Sequence, residues 1–480
     1  MLVKETKRVF VSGIFNVLHP GHVRLLRFAK SLGDSLVVGV VSDDLARDVA
    51  TISERQRLEA VESLRMVDSA FVLRDSVVDA IARLRPAIVV KGREHRSENN
   101  VEEEALRTYG GSLIFSSGDS FFNVTDLVPE TRVDSPGISL QLPIEFMRQH
   151  RITGDRLRQI VVSMQQLSVA VVGDVIVDEY VSCHALGMSR EDTTLVVTPI
   201  ETRRFIGGAA IVAAHAGSLG RVASLHSVAG QDEQCGYLCA ELAELGVRHR
   251  IYEDSGRPTT TKKRYRAGGK TLLRVSNLHQ DSISEALQAR VLSGFESEIR
   301  SHDLMIFSDF NYGVLPQALV EALTLLAKSS RVTTAADSQT SSQVGDVARF
   351  MGMDLITPTE YEARVALRNF EDGLVILADR LRDQSGAGIV MMTLAEDGLF
   401  IRGSSKSQLV TTDRIPALND SPVDVVGAGD SLLVVAAMAL STGATYNEAA
   451  LLGSIAAAIQ VSVTGNRPLR PQQLLEAIGP

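Results

Sequence analysis

Short apolar runs alternate with amphipathic stretches along the whole chain. Residues 8–12 (RVFVS) form an apolar run ending at Gly13, and residues 20–32 carry the spacing of a helix. Residues 36–41 (LVVGVV) read as a strand buried on both faces, closed by Ser42-Asp43-Asp44. Ser53-x-x-Gln56 has the capping-box form ahead of Leu58, Val61 and Leu64, so a helix is predicted to begin there. Residues 71–73, 87–90 and 112–115 are further strands with helices between them. Uninterrupted strand–helix alternation predicts a parallel sheet covered on both faces, with ligands bound beyond the carboxyl ends of its strands.

The pattern weakens between residues 126 and 167. VPETRVDSPGISLQLP holds three prolines and no clean period, which marks a linker, and residues 152–167 read as a helix leading onward. A new α/β series opens at Ser168 with SVAVVGD. Its strands include residues 304–308, 332–336, 354–356 and 389–392, while residues 195–205 and 259–276 show shorter alternation, as if a small sheet were inserted. The expected division is a domain over residues 1–127, a linker and lead-in helix over 128–166, and a second domain over 167–480.

Composition narrows the class. The 480 residues are 45% hydrophobic and 22% charged, enough for real cores under an ordinary soluble surface. A formal net charge of −9 argues against a protein that coats nucleic acid. Cys183, Cys235 and Cys239 are too few for a disulfide framework and lack the C-x-x-C spacing. No signal peptide and no apolar run of membrane-spanning length is visible. A soluble, cytoplasmic α/β protein without nucleic-acid or membrane partners is expected.

SGIFNVLHPGHVRLL places His19 and His22 at a helix start after the first strand. Helix N-termini offer free N–H groups and partial positive charge to phosphate, and imidazoles there can donate to triphosphate oxygens as negative charge builds. Gly21 lets a ligand approach the backbone. Two surface histidines, or a metal pair lacking the H-E-x-x-H form, are the other readings of the bare motif. With LGDSLVVGVVSD and RPAIVVKGREH downstream, residues 7–127 resemble the cytidylyltransferase-like nucleotidyltransferases, in particular their heptose 1-phosphate adenylyltransferase branch. The resemblance implies that His19 and His22 activate a nucleoside triphosphate. It also implies that Gly13, Phe15, Gly21, Lys91, Gly92 and Ser120 (with Asn123) line its phosphate or sugar-phosphate groups. Asn16 stands where that family has Asp, the loop after Asp43 is shortened, and SFFN replaces a hydroxyl-rich run.

DVVGAGDSLLVVAAMAL carries the strongest local signal. A Gly-rich turn into a helix presents backbone N–H groups to a transferring phosphoryl group, and Asp430 at the helix start can take a proton from an attacking hydroxyl. A merely capped helix would look similar. VVGDVIVDEY, RRFIGGAAIVAAHAGSLG, SDFNYG, TPTEYEA and GAGD follow in the order seen in ribokinase-like carbohydrate kinases. PTTTKKRYRAGGKTLLRVS adds a likeness to the heptose 7-phosphate kinase half of bifunctional ADP-heptose synthases. The resemblance implies Asp430 as general base and Gly427, Ala428 and Gly429 as anion hole. It implies Asp174, Gly207 and Gly208 at the sugar, Lys262 and Arg264 at its phosphate, and Glu362 in a magnesium–water network. Ile211 and Thr359 stand where the family has Asn. Ser276, Tyr312 and Gln339 replace Asp, Lys and Lys.

Both halves thus resemble an ADP-heptose synthase with its domain order reversed. The implied fold is a Rossmann-like nucleotidyltransferase domain followed by a ribokinase-like α/β domain with a small β lid. The implied reactants are sugar phosphates with ATP and Mg2+, CTP being the alternative in the first domain, and the implied assembly is a homodimer through the lid. A single live domain, another sugar, or a silent binder of nucleotide and sugar phosphate are the rival readings. His184, His215, His226 and the three cysteines are expected to be packing or surface residues, and Glu102-Glu103-Glu104 a solvated helix face.

Overall fold

A computed structural model describes residues 7–15, 20–46, 52–92, 101–116, 140–188, 192, 194–267, 270–340, 345–404, 410–419 and 422–479. The chain divides into two compact units, Met1–Ser135 with Arg368–Arg380, and Pro136–Leu367 with Leu381–Pro480.

The first unit is built on β1 (Arg8–Gly13), β2 (Ser35–Val41), β3 (Ser69–Leu73), β4 (Ile88–Gly92) and β5 (Ser112–Ser116). They lie in the order β3-β2-β1-β4-β5, every neighbouring pair parallel. Val9, Phe10 and Val11 are all fully buried, as the unbroken apolar run of a strand covered on both faces requires. Helices Pro20–Lys30, Glu54–Glu62, Val77–Leu84 and Val101–Arg107 follow successive strands. Phe10, Val37, Leu73, Ala80, Ile81, Val89 and Leu106 form one core cluster. The chain steps outward from β1 to β3 and then returns to lay β4 beside β1. That reversal makes the carboxyl ends of β1 and β4 the ligand crevice of such a sheet. Ser53 precedes its helix as expected, but its hydroxyl donates to Gln56 Oε1 (2.9 Å) and caps no amide, so the box is not closed.

The second unit continues with β6 (Ser168–Gly173), β7 (Val175–Met188), β8 (Leu195–Gly208), β9 (Val222–Ala229), β10 (Arg248–Glu253), β11 (Thr261–Ala267), β12 (Lys270–Asn277), β13 (Leu304–Asp309), β14 (Thr333–Ser338), β15 (Leu355–Ile356), β16 (Ile389–Thr393), β17 (Leu399–Ser404) and β18 (Val410–Ile415). Nine of them make the main sheet, ordered β10-β9-β6-β13-β14-β15-β16-β17-β18. It is parallel except where β17 meets its neighbours. The other four form a separate sheet, β12-β11-β7-β8. This is the small inserted sheet expected from the alternation near residues 195 and 259. Its two longest members, β7 and β8, have 14 residues each, and β7 continues directly from the end of β6.

Helices Ala209–Leu219, Ala428–Ser441 and Tyr446–Gln460 share the large core cluster of the main sheet. From Asp430 to Ala439 every residue of the second is buried, as an all-round apolar sequence demands. Thr445 and Glu448 close a capping box that starts the third. The lead-in helix spans Gly154–Met164, shorter than the expected 152–167, behind a second short helix Ile144–Gln149. The greater part of the expected linker lies outside the described residues.

Candidate functional site

In the second unit the chemistry gathers at the carboxyl ends of β13 and β14, beneath the four-stranded sheet. Gly427 caps helix Ala428–Ser441 with φ of 82°, a left-handed conformation that favours glycine. A Cβ there would sit 2.1 Å from Asn466 Oδ1. The turn therefore delivers Asp430 in the first helical turn, where it is 5% exposed. Burial first, then the neighbouring Asp178 and Glu362 carboxylates, push its carboxyl up to about 7, with the Lys262 ammonium opposing. A carboxylate held there is half-protonated near neutrality, which suits a group that takes up and returns a proton. Gln339 Nε2 approaches Asp430 Oδ1 at 3.4 Å.

Two more carboxylates crowd the same end of the sheet. Asp337 is buried, its Oδ1 has no hydrogen-bond partner, and burial together with Glu362 and Asp430 pushes it well above the usual range. Glu362 accepts from the amides of Thr340 (2.8 Å) and Thr359 (2.7 Å), while Thr359 Oγ1 accepts the Glu362 amide in return. Thr359 thus serves as the helix cap. The unpartnered Asp337 Oδ1 suits a hard divalent cation. Both Glu362 oxygens already take amides, and no group of three direct ligands occurs among the described residues, so the donors fit a cation reached through water.

The lid sheet supplies the opposite wall. Lys262 pairs in register with Asp178 across β11 and β7, and its ammonium lies over the rings of Phe310 (4.7 Å) and Tyr312 (5.3 Å). Tyr312 thus replaces the expected lysine with a π face that attracts Lys262, where a second ammonium would repel it. Arg264 binds the Asp178 carboxylate. A side chain on Gly207 would strike Asp178 Oδ2 at 2.5 Å, so the glycine keeps that carboxylate in place. Beside it opens a cavity of about 230 Å³ lined by Arg264, Arg266, Arg274, Tyr180, Thr271 and the loop 422–426.

Not every expected site residue reaches this wall. Asp174 is buried beneath the loop after β13, and its carboxylate accepts the amides of Phe310 (2.8 Å), Val314 (3.2 Å) and Tyr312 (3.3 Å). Burial and then Asp309 push it up to about 6. Those three amides take most of the carboxylate's acceptor sites and fix it beneath the loop. Asp178, four residues later, is also buried but stands on the lid strand β7, where it pairs with Arg264 at the site expected for Asp174. Gly208 sits behind it at the start of helix Ala209–Leu219. Ile211 is a fully buried core residue and offers nothing to a ligand. Ser276 is exposed at the outer strand opposite Lys262.

In the first unit Gly13 and Gly92 end β1 and β4 at the crevice. Phe15 is buried with φ of 51° and meets the His22 ring edge-on at 5.1 Å. Gly21 lies in the first turn of helix Pro20–Lys30 with His22. His19, Asn16, Ser120 and Asn123 lie outside the described residues. Lys91 donates to Glu102 Oε1 (2.8 Å), and Glu102 is 4% exposed. The expected solvated face is therefore a buried ion pair at this position, because the helix turns Glu102 inward while Glu103 pairs with Arg107 outside. Arg57 went unnoticed in the sequence. Fully buried, it donates to the carbonyls of Ile14, Val41 and Ile52 and to Asp43, tying together the ends of β1 and β2.

His215 is a core residue whose Nδ1 accepts the Leu469 amide, and His184 is exposed. His226 is buried, its pKa lowered by that burial, and it is hydrogen-bonded through Nε2 to Glu298 (2.5 Å). All three cysteines are free thiols.

Residues 166–473 match the model for pfkB family carbohydrate kinases, and residues 10–110 that for cytidylyltransferase-like domains. The bifunctional protein HldE of Desulfatibacillum aliphaticivorans is 30% identical over 311 residues, 64% of this chain and 62% of that protein. The same-named protein of Caulobacter vibrioides is 30% identical over 304 residues, 62% of this chain and 60% of its own. The chain thus spans about three fifths of the length of these curated relatives. Ribokinase of Arabidopsis thaliana shares the fold, with a TM-score of 0.51 at 18% identity over 65% of this chain and 99% of that one. Phosphofructokinase-2 of Escherichia coli does so with 0.52 at 15%, over 65% and 98%.

Proposed function

We propose, since the chain belongs to the pfkB family of carbohydrate kinases, that its second unit phosphorylates a sugar phosphate from ATP and its first unit joins a sugar 1-phosphate to a nucleotide. Heptose 7-phosphate and heptose 1-phosphate are the proposed substrates, with ADP-heptose the final product. The observation that carries the reading is Asp430, buried in the first turn behind Gly427, its carboxyl pushed up to about 7 by that burial and then by the Asp178 and Glu362 carboxylates. Asp430 takes the proton from the attacking sugar hydroxyl, and the oxygen then bonds to the γ-phosphorus while the bond to the ADP oxygen breaks. The amides of Gly427–Gly429 face the charge that develops. Asp178 and Gly207 hold the sugar, and Lys262 with the arginine-lined cavity holds its distal phosphate. Magnesium bound to ATP supplies charge neutralisation at the phosphates, and Asp337 and Glu362 hold its waters.

For the first unit, His22 beside Phe15, together with His19, donates to the triphosphate as the sugar phosphate displaces pyrophosphate. ATP is the proposed donor there, with CTP as the alternative outcome. Leu272, Leu273 and Val275 are exposed on the lid sheet, which supports a homodimer through that face, testable by analytical ultracentrifugation. No helix among the described residues is long and apolar enough to cross a membrane, which is compatible with a cytoplasmic enzyme.

Phosphorus NMR tests both reactions directly. With ATP, magnesium and heptose 7-phosphate, a new anomeric phosphate is expected, and Asp430→Asn should abolish it. Heptose 1-phosphate with ATP or CTP should yield pyrophosphate and a nucleotide sugar. Turnover of another sugar phosphate reassigns the substrate. Bound nucleotide with no transfer in any mixture overturns the enzymatic reading in favour of a binding protein.

A further inference from the structure

Tyr180 joins the lid to the turn beneath it. Its hydroxyl donates to Asp424 Oδ2 (3.0 Å), and the same oxygen accepts the Gly465 amide (3.0 Å). Asp424 Oδ1 accepts the Val426 amide at 3.3 Å. Asp424 thus sits inside the short loop that ends at Gly427 and orders it from within. On the lid side the guanidinium groups of Arg264 (5.3 Å) and Arg266 (5.2 Å) both lie over the Tyr180 ring, which meets Phe205 edge-to-face (5.2 Å). Residues of β7, β8 and β11 therefore meet at one phenol. Arg266 lines the cavity and also stands 4.0 Å from Asp424. An anion entering the cavity would meet the same arginines that hold the Tyr180 ring.

We propose that Tyr180 is a positioning residue, a latch through which seating a phosphate on the lid's arginines sets the turn bearing the Gly427–Gly429 amides. This inference rests on the kinase reading of the second unit and assigns that site a coupling between substrate and anion hole. A phosphorylated sugar that fills the cavity steadies Arg264 and Arg266. They hold the phenol, the phenol holds Asp424, and Asp424 holds the turn. A water molecule in place of the sugar does none of this, so the latch also favours transfer to sugar over hydrolysis of ATP.

The Tyr180→Phe variant tests it, because the ring and its stacking remain and only the hydroxyl is lost. Hydrogen exchange on the full-length protein should show residues 424–431 exchanging several-fold faster than in the wild type. Asp424→Ala should do the same, and the double variant should add little beyond either single change. In turnover, sugar-dependent transfer should fall about tenfold while sugar-independent ATP hydrolysis falls less, a split that a purely structural role would not produce. Unchanged exchange at 424–431, or two changes whose effects simply add, overturns the latch, as does a variant that only melts earlier. A wild type that phosphorylates no sugar phosphate instead overturns the kinase reading, and the exchange measurements then decide the latch alone.

Discussion

The carboxyl edges of the two parallel sheets treat charge in opposite ways. At the first, the described cations Arg57 and Lys91 are spent on backbone carbonyls or on a carboxylate. Arg57 gives its donors to three carbonyls and Asp43, and Lys91 is joined to Glu102. At the second, Asp430, Asp337 and Glu362 face each other, and each is made harder to ionise or helps make its neighbour so. Paired charges hold a shape. Unbalanced carboxylates hold a place for a cation and a proton, and they cost stability until those arrive.

The sharpest way to break this contrast is Asp430→Asn. Loss of a general base is expected to lower transfer by about 10³-fold, with nucleotide binding kept, as measured with labelled ATP. The same change should stabilise the fold at alkaline pH. The folded carboxyl, near 7, lies above its unfolded value of 3.8, so its contribution is present in acid and is lost as pH rises from about 4 through about 7. The variant should therefore have a higher unfolding free energy than wild type at pH 8, by an amount on the order of a few kcal/mol, and the advantage should vanish toward pH 4. A variant that melts earlier at pH 8 would remove the idea of a strained site.

At the first edge the expectation is reversed. Arg57→Met leaves buried carbonyls and Asp43 without their donor, and should cost on the order of 3 kcal/mol in chemical denaturation, at every pH between 5 and 9. A smaller effect belongs to Lys262→Met. Removing the ammonium that eases Asp430 ionisation should move the acidic limb of the kcat/KM profile upward by about one pH unit. An unshifted limb would mean that another group sets it. Least of all, Glu103→Ala breaks only an exposed pair with Arg107 and should change stability by about 0.5 kcal/mol or less.

Much of this was legible in the residues. Strand–helix alternation and the ordered segments ending in GAGD carry the fold, and the Gly-Ala-Gly-Asp turn marks Asp430 without a structure. The errors share one physical source, which is direction. GDVIVD offers two carboxylates four apart, and only the path of β7 out of the main sheet turns Asp174 under a loop and Asp178 toward the lid. Three consecutive glutamates look solvated until the helix rotates Glu102 onto Lys91. Arg57 in SERQR reads as surface because its partners are carbonyl groups, which every residue has and no sequence distinguishes. Tyr180 closes the segment VVGDVIVDEY, but its partner Asp424 lies 244 residues away.

Helix Ala428–Ser441 is buried from Asp430 to Ala439, against the sheet and its neighbouring helices. During synthesis that helix leaves the ribosome late, after all the strands it must cover. Until then helix Ala209–Leu219 covers β6 and part of β13, while β14 and the rest of β13 lack their lining on that side and expose apolar surface that favours aggregation. A chain stopped before residue 428 lacks the middle of its core as well as its base. Truncated products should therefore be cleared rather than persist as inert sugar-binding decoys.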